Sequence, residues 1–177
     1  MGTYIALLRG INVGGKKLPM AELREMCASL KLKNVQTYIQ SGNVVLDYDG
    51  TALQLEEFLQ KGIAKWFKID VKVVVRTASD LKHVIKSNPF GEAAYLTFLK
   101  ALPEIADYEP ITKAKTDKEE FKVIGREVYF FLPEGYGRTK LNNNFLESKL
   151  KVSATTRNLR TVKTLLEMAE TAEIKHN

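Results

Sequence analysis

The sequence predicts an α+β protein of two tandem βαββαβ halves, with mainly antiparallel sheets and an extra C-terminal helix. Three observations predict it. Short β-branched or apolar runs alternate with stretches whose apolar residues recur at helical spacing. The order strand, helix, two strands, helix, strand can be traced once in residues 1–78 and again in residues 93–177, with a linking helix and break over 79–92. The length of 177 residues, 45% hydrophobic and 27% charged, suits two small globular domains with real cores.

Tyr4 to Arg9 is an apolar run that stops at Gly10 and reads as a buried strand. After a Gly-rich loop, Pro19 fits a first helical turn, and Met20, Leu23, Met26, Cys27 and Leu30 mark the buried face of a helix ending near Lys31. Val35 to Gln40 and Asn43 to Tyr48 are β-rich runs separated by Ser41-Gly42, a hairpin signal. Thr51 and Gln54 have the spacing of a capping box, opening a helix with Leu55, Phe58, Leu59, Ile63 and Trp66 on one face. The valine-rich run Val71 to Arg76 closes the first half as a buried strand.

A linking helix near Asp80 to Lys86 leads to the break Asn88-Pro89-Phe90-Gly91. Ala94 to Lys100 then reads as a strand and Pro103 to Tyr108 as a short helix. Glu120 to Ile124 and Glu127 to Leu132 form a hairpin turned at Gly125-Arg126. Thr139 to Lys151 carries Leu141, Phe145, Leu146 and Leu150 at helical spacing, and a short strand follows near Val152 to Thr155. Val162, Leu165, Leu166 and Ala169 draw one face of the terminal helix. The halves share no identity that would establish duplication, so the repeat rests on the order of elements.

Composition excludes several classes of function. The single cysteine, Cys27, rules out an internal disulfide and a multi-thiolate metal site, and two histidines, His83 and His176, rule out a His-rich metal cage. His83 sits in Leu81-Lys-His-Val-Ile85, where an exposed helical position is expected, which argues against a His-dependent Ser or Cys hydrolase. No catalytic constellation, metal or cofactor is indicated. No apolar run reaches the roughly 18 to 20 residues needed to cross a bilayer, and the first nine residues lack the flanks of a signal peptide. A cytoplasmic chain with no membrane partner is expected. Gly2 does not read as a myristoylation signal, because Ala6 stands where Ser or Thr is needed.

The net charge of +6 is unevenly distributed. Residues 138–163 hold Arg138, Lys140, Lys149, Lys151, Arg157, Arg160 and Lys163 against Glu147 alone, and residues 9–33 hold six bases against Glu22 and Glu25. Local basic character favours an anion site, with solvated helix faces as the plainer alternative.

Several segments resemble one known family. Tyr4-Ile-Ala-Leu-Leu-Arg-Gly-Ile-Asn-Val-Gly-Gly15, Pro19-Met-Ala-Glu-Leu23, Thr37-Tyr-Ile-Gln-Ser-Gly-Asn-Val44, and Ala154-Thr-Thr-Arg-Asn158 with Thr161-Val162 are similar to the bacterial family called "domain of unknown function 1697". The resemblance runs nearly end to end, with the segments in order and at approximate spacing. It implies a cytoplasmic bacterial protein with a two-part, ferredoxin-like α+β architecture, and it implies no activity.

Candidate ligand-binding residues lie in four loops. Gly10-Ile-Asn-Val-Gly-Gly-Lys-Lys17 satisfies G-x-x-x-x-G-K, yet Lys17 stands where a P-loop needs Ser or Thr for Mg²⁺, and the helix starts too late to enclose a phosphate. This argues against a nucleotide triphosphatase. Backbone N–H groups at Gly14 and Gly15, with Arg9 and Lys16, suit a simpler oxyanion seat, whereas the alternative is a tight turn that merely needs positive φ. In a βαββαβ unit the first two strands run parallel, so the loop after strand one and the hairpin after strand two share one sheet end. Strand three lies between them, so the loops begin about 10 Å apart. Arg9, Asn12, Lys16, Gln40, Ser41 and Asn43 are thereby predicted to line one polar pocket, without an evident general base.

The same topology brings Gly135-Tyr-Gly-Arg-Thr-Lys140 and Thr155-Thr-Arg-Asn158 to a common end. Arg138, Thr156, Arg157 and Asn158 are candidates for an anion at helix N-termini, with helix capping by Thr139 and Asn158 as the competing role. The expectation is a binding protein, or an enzyme of unassigned reaction, that holds a phosphate-bearing small molecule. A nucleic-acid-binding protein is the alternative, given a pI near 9.3, although the aromatic RNA-stacking signature is missing. A protein-interaction module is a third reading without specific support. Nothing in the sequence sets the oligomeric state.

Overall fold

A computed structural model describes residues 1–15, 17–104 and 107–175. The elements run β1 (Gly2–Leu8), α1 (Met20–Ser29), β2 (Lys33–Tyr38), β3 (Asn43–Tyr48), α2 (Ala52–Phe67), β4 (Val73–Arg76) and α3 (Ala78–Ser87). They continue with β5 (Ala94–Leu99), α4 (Glu109–Ala114), β6 (Glu120–Ile124), β7 (Glu127–Phe131), α5 (Asn143–Leu150), β8 (Ala154–Asn158) and α6 (Leu159–Ile174). Two compact units result. One comprises 1–82 with 163–175, and the other comprises 83–162.

The first unit is built on a four-stranded antiparallel sheet in the order β2-β3-β1-β4. Ala6, Leu8, Val44, Leu46, Val73 and Val75 face α1 and α2 and meet Leu23, Met26, Cys27, Leu55, Leu59 and Ile63 in one core. Ile5, Leu7, Val45 and Val74 on the opposite face are buried as well. Burial of both faces explains why these strands read as continuous apolar runs instead of alternating. The Thr51–Gln54 capping box is present as the spacing predicts: Gln54 N donates to Thr51 Oγ1 at 3.2 Å and Thr51 N to Gln54 Oε1 at 2.9 Å.

The second unit repeats the topology in the order β6-β7-β5-β8. Leu99, Val128, Phe130 and Ala154 pack with Ile111 of α4 and with Leu141, Leu146 and Leu150. Leu96, Phe98 and Tyr129 are buried on the other face.

Register aligns the halves residue by residue. Leu8 N donates to Gly42 O and Leu99 N to Arg126 O, while Arg9 N donates to Lys72 O and Lys100 N to Ser153 O. Ile5 pairs with Arg76 as Leu96 pairs with Arg157. Arg76 and Arg157 are thus equivalent, and each folds its Nη1 back onto the carbonyl of the preceding residue: Val75 at 3.0 Å, Thr156 at 2.8 Å. Each is followed by a helix cap. Thr77 Oγ1 accepts from Asp80 N, and Asn158 Oδ1 accepts from Thr161 N.

The second helix of each half also satisfies the outermost strand. Antiparallel pairing leaves alternate N–H groups of β4 pointing away from β1. Two of these are taken by α2: Val73 N donates to Gln60 Oε1 at 3.0 Å and Val75 N to Glu56 Oε1 at 2.9 Å. In the other half Ala154 N donates to Glu147 Oε1 at 2.9 Å. These bonds explain why Glu56 lies buried on an otherwise apolar helix face.

Several element boundaries differ from the sequence reading. The hairpin loop has four residues, 39–42, because Tyr38 pairs with Asn43; Ile39 takes φ 49° and Gly42 φ 82°. The short helix is Glu109–Ala114 with Pro110 in its first turn, not Pro103 to Tyr108; Ile105 and Ala106 of that stretch lie outside the described residues. Both prolines carry the same N-terminal signal, and burial of Ile111 decides between them. Helix α5 begins at Asn143 behind a 3-10 turn at Tyr136–Arg138, with Asn142 as its N-cap in place of Thr139. Strand β8 extends to Asn158 because Arg157 and Asn158 pair with Leu96 and Tyr95. Trp66 is 46% exposed, so it lies at the margin of α2's apolar face.

Candidate functional site

The loop after β1 and the β2–β3 hairpin meet at one end of the first sheet. Asn12 joins them. Its Oδ1 accepts from Leu18 N at 2.8 Å, and its Nδ2 donates to Leu18 O at 3.0 Å and to Gln40 O at 2.7 Å. One carboxamide therefore closes the Gly-rich loop upon itself and ties it to the hairpin. Asn is among the few side chains that tolerate the required left-handed backbone, here φ 56°. Leu18 is fully buried, which anchors the far end of the loop.

The two loops also pack through apolar atoms. A Cβ at Gly42 would fall 2.5 Å from Ile11 Cδ1 and 2.9 Å from Leu8 Cβ. Ile11 lies directly over the hairpin glycine. Asn43, fully buried, shapes the turn by donating Nδ2 to Tyr38 O at 2.9 Å and to Ser41 Oγ at 3.0 Å.

Of the predicted residues at this end, Asn12 is thus brought to Gln40, and Asn43 to Ser41. Through these bonds both carboxamides hold the loops in shape. Arg9 is partly exposed and its amide is held by Lys72 O. Lys16 lies outside the described residues. Gly14 (φ 58°) and Gly15 (φ 94°) are exposed, and nothing lies within 4 Å of where their Cβ atoms would stand. Helix α1 begins at Met20, after the loop has ended, so the helix start does not wrap the glycines as in a P-loop.

At the opposite type of sheet end in the second unit, loop 133–142 and the end of β8 also come together. Thr156 donates to Asn143 Oδ1 at 2.7 Å, so the 2.6 Å contact with Thr97 Oγ1 has Thr97 as donor. Tyr136 stacks on Tyr95 at 5.9 Å between ring centroids, and its hydroxyl accepts from Asn143 N at 2.9 Å. Asn158 caps α6 through Thr161 N, and Thr139 Oγ1 accepts from Leu141 N.

Arg138 and Arg157 are differently employed. Arg157 is buried, with Nη1 donating to Thr155 Oγ1 and to Thr156 O, both at 2.8 Å. Burial pulls its guanidinium down to about 10, partly offset by nearby Tyr136. Strand alternation places Arg157 on the face opposite Thr156 and Asn143. Arg138 is exposed and lines a cleft of about 300 Å³ with Asp117, Lys118, Glu119, Pro133 and Glu134. Acids and bases alternate around this cleft, which gives it no preference for an anion.

Arg76 is the residue the sequence reading overlooked. It is completely buried and occupies the first unit's counterpart of the Arg157 position. The signal was present as a strand ending in Arg followed by a capping residue, Val-Val-Val-Arg-Thr77 and Ala-Thr-Thr-Arg-Asn158.

Cys27 is fully buried and its thiol is pushed up to about 12, which keeps it un-ionised. His83 is exposed, with Nε2 3.5 Å from Ser87 Oγ one helical turn away. Among the described residues no group of His, Cys, Asp or Glu is arranged to hold a metal ion, and no helix is long and apolar enough to cross a membrane.

Comparison with known proteins agrees with this architecture. A conserved bacterial protein from Streptococcus pneumoniae, of known structure, is similar with a TM-score of 0.70 and 26% identity, covering 94% of this chain and 98% of its own. No curated protein matches the chain. The family model described as "Protein of unknown function (DUF1697)" matches residues 1–129, a span that takes in both loops at the Asn12 end and the first strands of the second sheet. The chain belongs to the DUF1697 family.

Proposed function

We propose that the protein binds a phosphate-bearing small molecule, as a binding protein or an enzyme of unassigned reaction, with loop 10–17 as the anion seat. The observation that carries this reading is the preorganised backbone of residues 10–15. Over residues 10–14, positive φ at Gly10, Asn12 and Gly14 alternates with ordinary backbone at Ile11 and Val13, and Gly15 follows Gly14 at positive φ. Alternation of this kind turns successive N–H groups toward one side, as in anion-binding nests. Asn12 holds the shape without a ligand, so little ordering cost attends binding. Arg9, Lys16 and Lys17 supply charge in or beside the loop, and exposed Gly14 and Gly15 leave room for close approach. The reading supposes a cytoplasmic bacterial protein, where such metabolites occur.

RNA recognition on a sheet face is less favoured. That mode stacks bases on exposed strand aromatics, whereas on the face away from α4 and α5 Tyr129 and Phe98 are buried and Phe131 is half-buried beside Phe90.

Thermal denaturation with phosphate, pyrophosphate, nucleotides and sugar phosphates tests the reading. A ligand at a hundredfold its Kd adds about 2.7 kcal/mol to stability and raises the Tm saturably. Gly14→Ala with Gly15→Ala places each methyl in open space but opposes the local φ, and is expected to abolish the shift. An unchanged shift in that variant, or no shift with any phosphate compound, overturns the proposal. Steeply salt-dependent binding to generic RNA would favour the nucleic-acid reading instead.

A further inference from the structure

In the first unit, away from loop 10–17, a groove runs between α1 and α2. The helices approach closely because residue 62 is glycine: a Cβ there would stand 2.7 Å from Leu30 Cδ1 and 3.6 Å from Met26 Sδ. Beside this contact opens a cleft of about 480 Å³, within the size range of small-ligand sites. Met26, Leu30 and Gly62 form its apolar side. Trp66, the sole tryptophan, lines it while remaining 46% exposed.

The charged residues lining the cleft are Lys65 and Lys68, with no acid among them. Neighbouring charges are already matched, Lys61 with Glu57 and Lys72 with Asp70, but no ion pair engages Lys65 or Lys68 among the described residues. Lys65 lies in the last turn of α2 and Lys68 is its C-cap, so both stand at the negative end of the helix dipole as well as beside the exposed indole. Ser29, the remaining polar lining residue, is committed to Met26 O at 2.7 Å.

We infer that this cleft binds a small amphiphile with an aromatic body and one anionic head, the ring lying against Trp66 and the α1–α2 groove and the head between Lys65 and Lys68. Aromatic stacking and apolar burial supply most of the affinity, and the lysines select charge.

Because Trp66 is the sole tryptophan, its indole N–H gives a single two-dimensional NMR cross-peak that reports on the cleft directly. The probes are 1-naphthoate and its neutral counterpart 1-naphthalenemethanol. A saturable shift of that cross-peak is expected with 1-naphthoate, with affinity at least about fivefold weaker for the alcohol. Lys65→Gln with Lys68→Gln should weaken 1-naphthoate by a similar factor, while Lys65→Arg with Lys68→Arg retains it. Both pairs are surface changes, so the remainder of the spectrum verifies the fold. Absence of a Trp66 shift, equal binding of acid and alcohol, or full affinity in the Gln variant overturns the inference.

Discussion

Asn12 Nδ2 donates to the carbonyl of Gln40 at 2.7 Å, fastening the loop after β1 to the hairpin after β2 across the intervening strand β3. Together with the two bonds to Leu18, this makes one side chain responsible for the form of both loops. Asn12→Ala removes all three and is expected to cost roughly 2 kcal/mol, since each such bond contributes about 0.5–1.5 kcal/mol net. Urea unfolding measures the loss. Asn12→Asp should not rescue stability, because a carboxylate would face two carbonyl oxygens.

Gly42 combines a left-handed φ with the absence of space for a side chain. Gly42→Ala places a methyl 2.5 Å from Ile11 Cδ1 in a backbone region that L-residues disfavour. A destabilisation of about 2 kcal/mol or more is expected from the two effects together. Adding Ile11→Ala should recover only the part of the steric cost that Ile11 imposes, leaving the φ penalty and the 2.9 Å approach to Leu8 Cβ, and a double-mutant cycle in denaturant measures that coupling.

Cys27 gives a prediction with a defined pH window. Its folded-state thiol is raised by burial to about 12, from 9.0. Between these values the unfolded chain has lost the proton and the native chain retains it, so native stability falls as pH rises. Below pH 9.0 the contribution is fully present. Unfolding midpoints measured from pH 8 to 10 should decline, and Cys27→Ala should flatten that decline even while lowering stability overall. Tyr129, pushed up to about 12 from 10.0 by burial, adds a second loss that begins later. Native Cys27 should also resist iodoacetamide until the protein unfolds.

Gln60 and Glu147 each hold an outward-facing amide, those of Val73 and Ala154. Truncating either to Ala should cost about 1 kcal/mol. The sharper readout is site-specific hydrogen exchange: the Val73 amide should speed up in Gln60→Ala and the Ala154 amide in Glu147→Ala, each without affecting the other.

Most of the fold could be read from the chain because its signals are local. The spacing of Met20, Leu23, Met26 and Cys27 is a property of one helix, and the Thr51–Gln54 box spans a single turn. The second half was harder to delimit because two prolines and two Thr/Asn caps compete within short distances, and only tertiary burial of Ile111 and Leu146 selects among them. At the candidate site, topology correctly juxtaposed Asn12 and Gln40. It could not show that the Asn12 carboxamide is taken up by backbone partners and the Asn43 amide by Tyr38 O and Ser41 Oγ, since those bonds depend on φ values at Asn12 and Gly42 that arise only in the folded loops. The burial of Arg157 is equally illegible in the sequence, which reads the strand as ending near Thr155 and Arg157 as a loop residue before a helix; only pairing with Leu96 draws it into the strand.

The side chains of α2 and α5 that occupy the outward amides of β4 and β8 have a consequence for assembly. A sheet grows by strand addition only where a row of N–H and C=O groups is open. On the β4 and β8 flanks part of that row is already filled from within the chain. At β2 the register shifts between Lys33 and Gln36, and Asn34 takes φ 51° and donates to Asp47, which interrupts the regular template there. Strand β6 keeps an unbroken register from Glu120 to Ile124, with Glu120 and Lys122 exposed. Should this protein ever recruit an extended segment by β-augmentation, the β6 edge is where the ladder would continue.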